Sequence, residues 1–252
     1  MIRRSTPLLA GLLALSLTTL AGCQNAKPAV DQSGQPPIIA ESAKNLEGMP
    51  YHVKSTTTIT GDPGGAPDLN IVTEGDVATP RRARLTLSSP QQPGTTFELV
   101  LWDDDLYARP GSGDWQQLPA SQIAQLGPSP VDASAYLRGA TGPAEDKGSE
   151  DVNGVKARRY GLTLNVPALV DQLDKLGRPI QQEIIKDAKM EIWISEGDAL
   201  ARRSKVSLNL SQSGGQTGGT LEMDTTAVDF GKPVQIELPK VAPAAPSSDP
   251  GR

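Results

Sequence analysis

Few residues in this 252-residue chain have a type and spacing that could carry chemistry, and the first is Cys23, the only cysteine. A lone thiol can act as a nucleophile, oxidise, or be alkylated to a thioether, but it has no partner for an internal disulfide. The second candidate is Asp103-Asp104-Asp105, three adjacent carboxylates of the kind that hard cations such as calcium prefer. Adjacent strand residues point to opposite faces, however, and the triplet stands between Trp102 and Leu106 at a turn, so a solvated hairpin accounts for it better. His52, the only histidine, could serve as a general base, yet it follows Tyr51 at the start of a strand with no identifiable nucleophile partner and is expected to be structural. One histidine and one cysteine make no zinc cluster. Neither G-x-S-x-G nor S-x-x-K occurs. Glu150 and Asp151 have the character of surface carboxylates, and Trp102, Trp115 and Trp193 are expected to pack or to face outward. No catalytic residue, metal site or cofactor is therefore expected.

What precedes Cys23 gives the thiol a different use. Arg3 and Arg4 form a positive n-region, Pro7 to Leu20 is mostly Leu and Ala, and Leu20-Ala21-Gly22 puts small residues just ahead of the cysteine. That is the pattern of a signal peptide. Its apolar core of about 14 residues is short of the ~20 a membrane-spanning helix needs. Leu20-Ala21-Gly22-Cys23 also resembles the bacterial lipobox, which implies a diacylglycerol thioether on Cys23, cleavage before it and acylation of the new amino terminus. Residues 1–22 are then a lipoprotein signal peptide, and the mature chain is tethered to a membrane by two or three acyl chains, enough for stable anchoring.

Without residues 1–22 the chain loses Arg3 and Arg4, and its formal charge moves from -5 to -7. An acidic balance argues against nucleic acid and against electrostatic docking on anionic lipid. Residues 23–37, the lipidated cysteine followed by QNAKPAVDQSGQPP, are polar and aperiodic and are expected to be a spacer. Residues 241–252, VAPAAPSSDPGR, are expected to be a disordered tail. Residues 38–240 are left as the folded domain.

Within that domain, period-two alternation dominates, the signature of strands with one buried face. It predicts strands at His52–Thr60, Asn70–Val77, Arg84–Ser88, Thr96–Trp102, Asp105–Arg109, Val155–Leu164, Lys189–Ser195, Ala201–Leu210 and Gly219–Asp229. Turn clusters rich in Gly and Pro separate them, and most gaps are too short for crossover helices, so the strands form an antiparallel meander. Helical spacing is rarer. Val166, Leu169, Val170, Leu173 and Leu176 share one face behind an Asn165 N-cap, and shorter helices are expected at Ile39–Leu46, Ala133–Arg138 and Ile180–Asp187.

Eight or nine strands at ~4.8 Å make a sheet about 40 Å wide, whereas one helix covers about 10 Å. Two or three short helices leave part of the apolar face uncovered, and the chain has only two phenylalanines to fill the gap. The sheet either curls around a lightly filled apolar hollow or closes tightly on its own Leu, Val and Ile. Geometry alone leaves both open.

Two segments carry a family resemblance. Glu150 to Leu164, EDVNGVKARRYGLTL, resembles the E-x-V-x-G-x-x-x-x-x-Y hairpin of the LppX/LprAFG lipoproteins and the related LolA/LolB-type carriers. Val228 to Pro239, VDFGKPVQIELP, resembles their F-G-x-P-V-x-I-x-x-P terminus. The resemblance implies an α+β fold, a curved antiparallel sheet or half-open β-barrel with a few short helices covering the concave face. It also implies a cavity that carries acyl chains of a lipid, lipoglycan or lipoprotein across the cell envelope, without cofactor or catalysis and in concert with envelope transport proteins. By parity and helical face, the expected cavity wall is Phe97, Leu99, Leu101, Leu162, Leu164, Leu169, Leu173, Ile192, Ile194, Leu208 and Leu210. The rival expectation is an envelope sensor or scaffold with a filled barrel and a protein partner.

Overall fold

Alternation decides the sheet. The computed structural model describes residues 34–61, 68–119, 129–175, 185–211 and 217–241. Six strands form a meander: β1 (Tyr51–Thr60), β2 (Leu69–Thr79), β3 (Arg82–Ser88), β4 (Thr96–Trp102), β5 (Asp105–Pro110) and β6 (Gln116–Leu118). Five more form a second: β7 (Glu145–Val152), β8 (Val155–Leu164), β9 (Ile185–Ser195), β10 (Ala201–Ser211) and β11 (Thr217–Val228). Antiparallel pairing of β1 with β11 joins them into one eleven-stranded sheet whose edges are β6 and β7. The sheet is curved but not closed into a barrel, and with three short helices among the described residues the fold is α+β.

One parity of each strand faces the helices. Val53, Val77, Ala83, Val206 and Met223 are buried on that side. The other parity carries a ladder of cross-strand ion pairs, including Lys54 with Glu74, Lys205 with Glu222, Arg203 with Asp224, and Arg84 and Arg109 with Glu98. Such exposed pairs are worth at most about 1 kcal/mol each, and their main effect is to keep the convex face wet.

The helices sit where the pattern places them. α1 (Pro37–Gly48) begins with proline in its first turn and buries Ile39, Ser42, Ala43 and Leu46 on one stripe. α2 (Ala133–Gly139) follows a short 3-10 turn at Pro130–Asp132. α3 (Val166–Lys175) is capped by Asn165, whose Oδ1 accepts from the Ala168 N–H at 2.9 Å. A Cβ on Gly139 would lie 3.1–3.3 Å from the backbone and Cβ of Leu169, so glycine lets α2 and α3 approach closely there.

Three features differ from expectation. Alternation shows neither β6 nor β7, because neither QQL nor EDKGSEDV alternates, and only the last residues of β7 fall in the Glu150–Leu164 hairpin given by the resemblance. In place of a helix over Ile180–Asp187, residues Ile185–Asp187 open β9, and residues 180–184 lie outside the described ones. The register slips between Asn209 and Leu210 of β10, which leaves Ile185 and Ala188 both buried three positions apart and hides the period of two.

Candidate functional site

The concave face has two unlike ends. At one, where β1 and β3 begin and β2 ends, the side chains of Tyr51, Val53, Val77 and Ala83 lie buried, with Leu46 of α1 beside Tyr51 and Ala133 of α2. At the other, where β2 and β4 begin and β1 and β3 end, burial fails. Leu69 is 41% exposed and Phe97 43%, while Ile71, Leu87 and Leu99 are half-buried. Register makes these residues neighbours: Leu87 lies opposite Phe97, Leu85 opposite Leu99, and Thr57 opposite Ile71.

Together they form an apolar recess of about 180 Å³, lined by Leu69, Ile71, Leu87 and Phe97 with a rim of Ser88, Ser89, Gln92 and Thr95. The polar groups of the rim are neutral, and the apolar floor offers nothing to an ion. The recess can hold a hydrocarbon and present hydroxyl and amide groups at its lip. Deeper in, Thr73, Ser55, Thr225 and Ser204 stand opposite one another across four adjacent strands, all buried, with Ser55 and Thr225 hydroxyls 2.8 Å apart. These short side chains leave the middle of the core less filled than leucines would.

The expected wall residues divide between the buried core, which on β8 and β10 reaches the same row as Leu69, and the uncovered mouth on β2 to β4. Leu101, Leu162, Leu164, Leu169, Ile192, Ile194 and Leu208 are buried in the continuous core, the last four of that set at 0% exposure. Leu99 and Leu210 are partly buried against that core, and Phe97 stands at the mouth. Leu173 lies in α3. Alternation does not single out Leu69, Ile71 and Leu87, although Leu69 and Ile71 alternate within β2, because parity names a face and not the part of the face that stays uncovered.

Residues considered for chemistry are occupied structurally. Asp103 pairs with Arg82 and takes φ +55 in the turn, Asp104 pairs with Arg81, and Asp105 accepts from Gln117. Among the described residues no three His, Cys, Asp or Glu gather as a metal site. His52 Nδ1 is 2.8 Å from Asp76 Oδ1, its cross-strand neighbour on the wet face. Trp193 is flanked by Arg159 and Arg203 from the two neighbouring strands, at 5.0 and 4.9 Å from the ring centre, and its indole N–H donates to Glu150. Trp102 lies beneath Arg82 and Trp115 beneath Arg109.

Perturbed ionisations follow the ion pairs and avoid the recess. Hydrogen bonds from Arg109 and then Arg84 hold the Glu98 carboxyl below its ordinary range, and Arg158 does the same for Asp146. For Glu191 burial pushes upward, but Lys147 and Arg159 together outweigh it and the net shift is downward. Burial raises the phenol of Tyr160.

The fold is similar to that of several solved structures. The lipoprotein LppX of Mycobacterium tuberculosis superposes with a TM-score of 0.47 at 20% identity, covering 80% of this chain and 99% of that one. LprF from Mycobacterium bovis gives 0.45 at 16%, covering 81% and 95%. A LolA superfamily protein from Nitrosomonas europaea gives 0.27 at 10%, covering 81% and 94%. No family model and no curated protein matches the sequence. At TM-scores below 0.5 these likenesses concern the arrangement of the chain and say nothing of cargo. Among the described residues no helix is long and apolar enough to cross a membrane.

Proposed function

We propose that this chain is an extracytoplasmic lipoprotein, anchored through Cys23, that takes acyl chains of a lipid, lipoglycan or lipoprotein at the open end of its concave face. The observation that carries this reading is the gradient along that face, from full burial at Val77 and Ala83 to an exposed apolar lip at Leu69 and Phe97. Exposing large apolar side chains side by side costs stability, and such a patch marks a surface that something apolar covers. Phe97, Leu99 and Leu210 of the expected wall are the contact residues at that end, joined by Leu69, Ile71 and Leu87. The buried members, Leu208 and Ile192 among them, are the floor that supports it.

Burial is the whole mechanism. Each CH₂ moved out of water gains ~0.8 kcal/mol before ordering costs, so no reaction and no cofactor is required. A recess of about 180 Å³ has room for about six water-sized groups at ~30 Å³ each. A long chain therefore enters in part and lies across the mouth for the rest. Residues 38–240 are the carrier domain in this reading, with residues 23–37 joining it to the membrane.

The small recess also favours a second reading, an envelope scaffold whose open end is covered by a protein. Solvent extraction of the purified protein followed by mass spectrometry separates the two. Stoichiometric lipid, or saturable uptake of a fluorescent fatty acid, supports the carrier; repeated absence of both supports the scaffold.

A further inference from the structure

We infer that the open end of the sheet docks directly on a lipid bilayer, with the β3–β4 turn and Phe97 applied to the headgroup layer, so that an acyl chain passes between bilayer and recess without crossing water. The inference rests on the anchoring at Cys23 proposed above and adds the orientation of the domain and the occupant of its exposed lip.

The first ground is where the anchor meets the domain. Gly34 lies against Pro143, and the Gln35 side-chain amide donates to the Ala140 carbonyl at 3.2 Å. Ala140 bridges Leu164, the last residue of β8, and the Thr141 N–H donates to the Thr163 carbonyl at 3.1 Å. In the antiparallel sheet the end of β8 lies at the same end as the start of β9, the end of β1 and the start of β2, which is the open end. The eleven residues from Cys23 to Gly34 reach at most about 40 Å when taut at ~3.3–3.6 Å each. A ten-residue strand such as β1 is itself about 34 Å long. Turning the capped end to the membrane would use nearly all of that reach in running back along the domain; turning the open end to it uses none.

The second ground is the chemistry of the tip. From Leu85 to Phe97, LTLSSPQQPGTTF, there is no charged residue, in a chain where 21% of residues are charged. The segment includes an exposed turn, Pro90 to Thr95, whose polar groups are hydroxyls, amides and backbone. Charged groups at a protein surface resist desolvation, whereas neutral polar groups beside an exposed aromatic suit the boundary between headgroups and hydrocarbon. With a formal charge of -7 after loss of Arg3 and Arg4, the contact is apolar and does not depend on anionic lipid.

The test uses the full lipidated protein on vesicles of neutral phosphatidylcholine. Cysteine is introduced singly by Phe97→Cys, Gln91→Cys and Thr56→Cys, the last on the exposed convex face of β1, and each is labelled with an environment-sensitive fluorophore; lipidated Cys23 does not react. Phosphatidylcholine bearing a headgroup-level nitroxide is expected to quench positions 91 and 97 several-fold more than position 56. Equal quenching at all three, stronger quenching at 56, or quenching that needs anionic lipid, in protein that floats with the vesicles, overturns the inference and leaves the carrier reading standing. Protein that does not float and keeps Cys23 open to alkylation overturns the anchoring and the inference with it. Position 91, in an exposed turn, keeps the test decisive if Phe97→Cys fails to fold.

Discussion

Phe97 and Leu208 lie on the same face of the same sheet and should behave in opposite ways when truncated. Phe97 is 43% exposed and Leu208 0%. Fully burying a side chain of this size gains about 1.5–3 kcal/mol, so covering the exposed fraction of Phe97 with a bound chain gains about 0.6–1.3 kcal/mol, which is 3- to 9-fold in affinity. Phe97→Ala is therefore expected to weaken binding of a fluorescent fatty acid by that factor. Because a large part of the ring is already in water, its cost to folding should stay well below the ~3–5 kcal/mol typical of a core aromatic. Leu208→Ala removes atoms from a filled site and should cost about 2–5 kcal/mol of folding stability, measured by urea denaturation, while the protein that remains folded keeps its affinity. The reasoning fails if Phe97→Ala leaves affinity unchanged, or if it destabilises the fold as much as Leu208→Ala does.

Other perturbations follow from the same packing and ion pairing. Leu169→Ala, fully buried where α3 meets Gly139 of α2, should lower stability by about 2–5 kcal/mol in chemical denaturation. Asn153 takes φ +53 before Gly154 at φ +80 in the β7–β8 turn, and Asn153→Val should cost about 1–3 kcal/mol by the same assay, since a β-branched residue resists that backbone. Glu98 and Asp146 have carboxyls held below their ordinary values by arginines, so their contribution to stability is fully present above the unfolded-state value near 4.5 for Glu98 and is lost as pH falls through the lower folded value. Thermal melts should accordingly show stability falling below about pH 4.5, and Glu98→Gln should flatten part of that fall.

The strands that were legible in the sequence are those with one wet and one dry face. Thr96–Trp102 and Val155–Leu164 match residue for residue, because Phe97, Leu99 and Leu101, or Tyr160, Leu162 and Leu164, announce a period of two. Strand β7 was illegible because it is an edge with almost every residue exposed, and Glu145, Asp146, Glu150 and Asp151 leave no apolar stripe to read. Those acids also discourage pairing of the open edge with another chain. The face of the candidate site was legible and its position along the strands was not. Whether Leu69 or Val77, both inward on β2, ends up covered depends on where α1 and α2 settle, and that is set by tertiary packing that alternation does not encode.

The most direct measurement is photo-crosslinking of a diazirine-bearing fatty acid to the purified protein, mapped by mass spectrometry. Adducts concentrated on Leu69, Ile71, Leu87 and Phe97, and suppressed by unlabelled fatty acid, are the predicted result. Adducts scattered over the ion-paired convex face, or none that unlabelled fatty acid displaces, would contradict it.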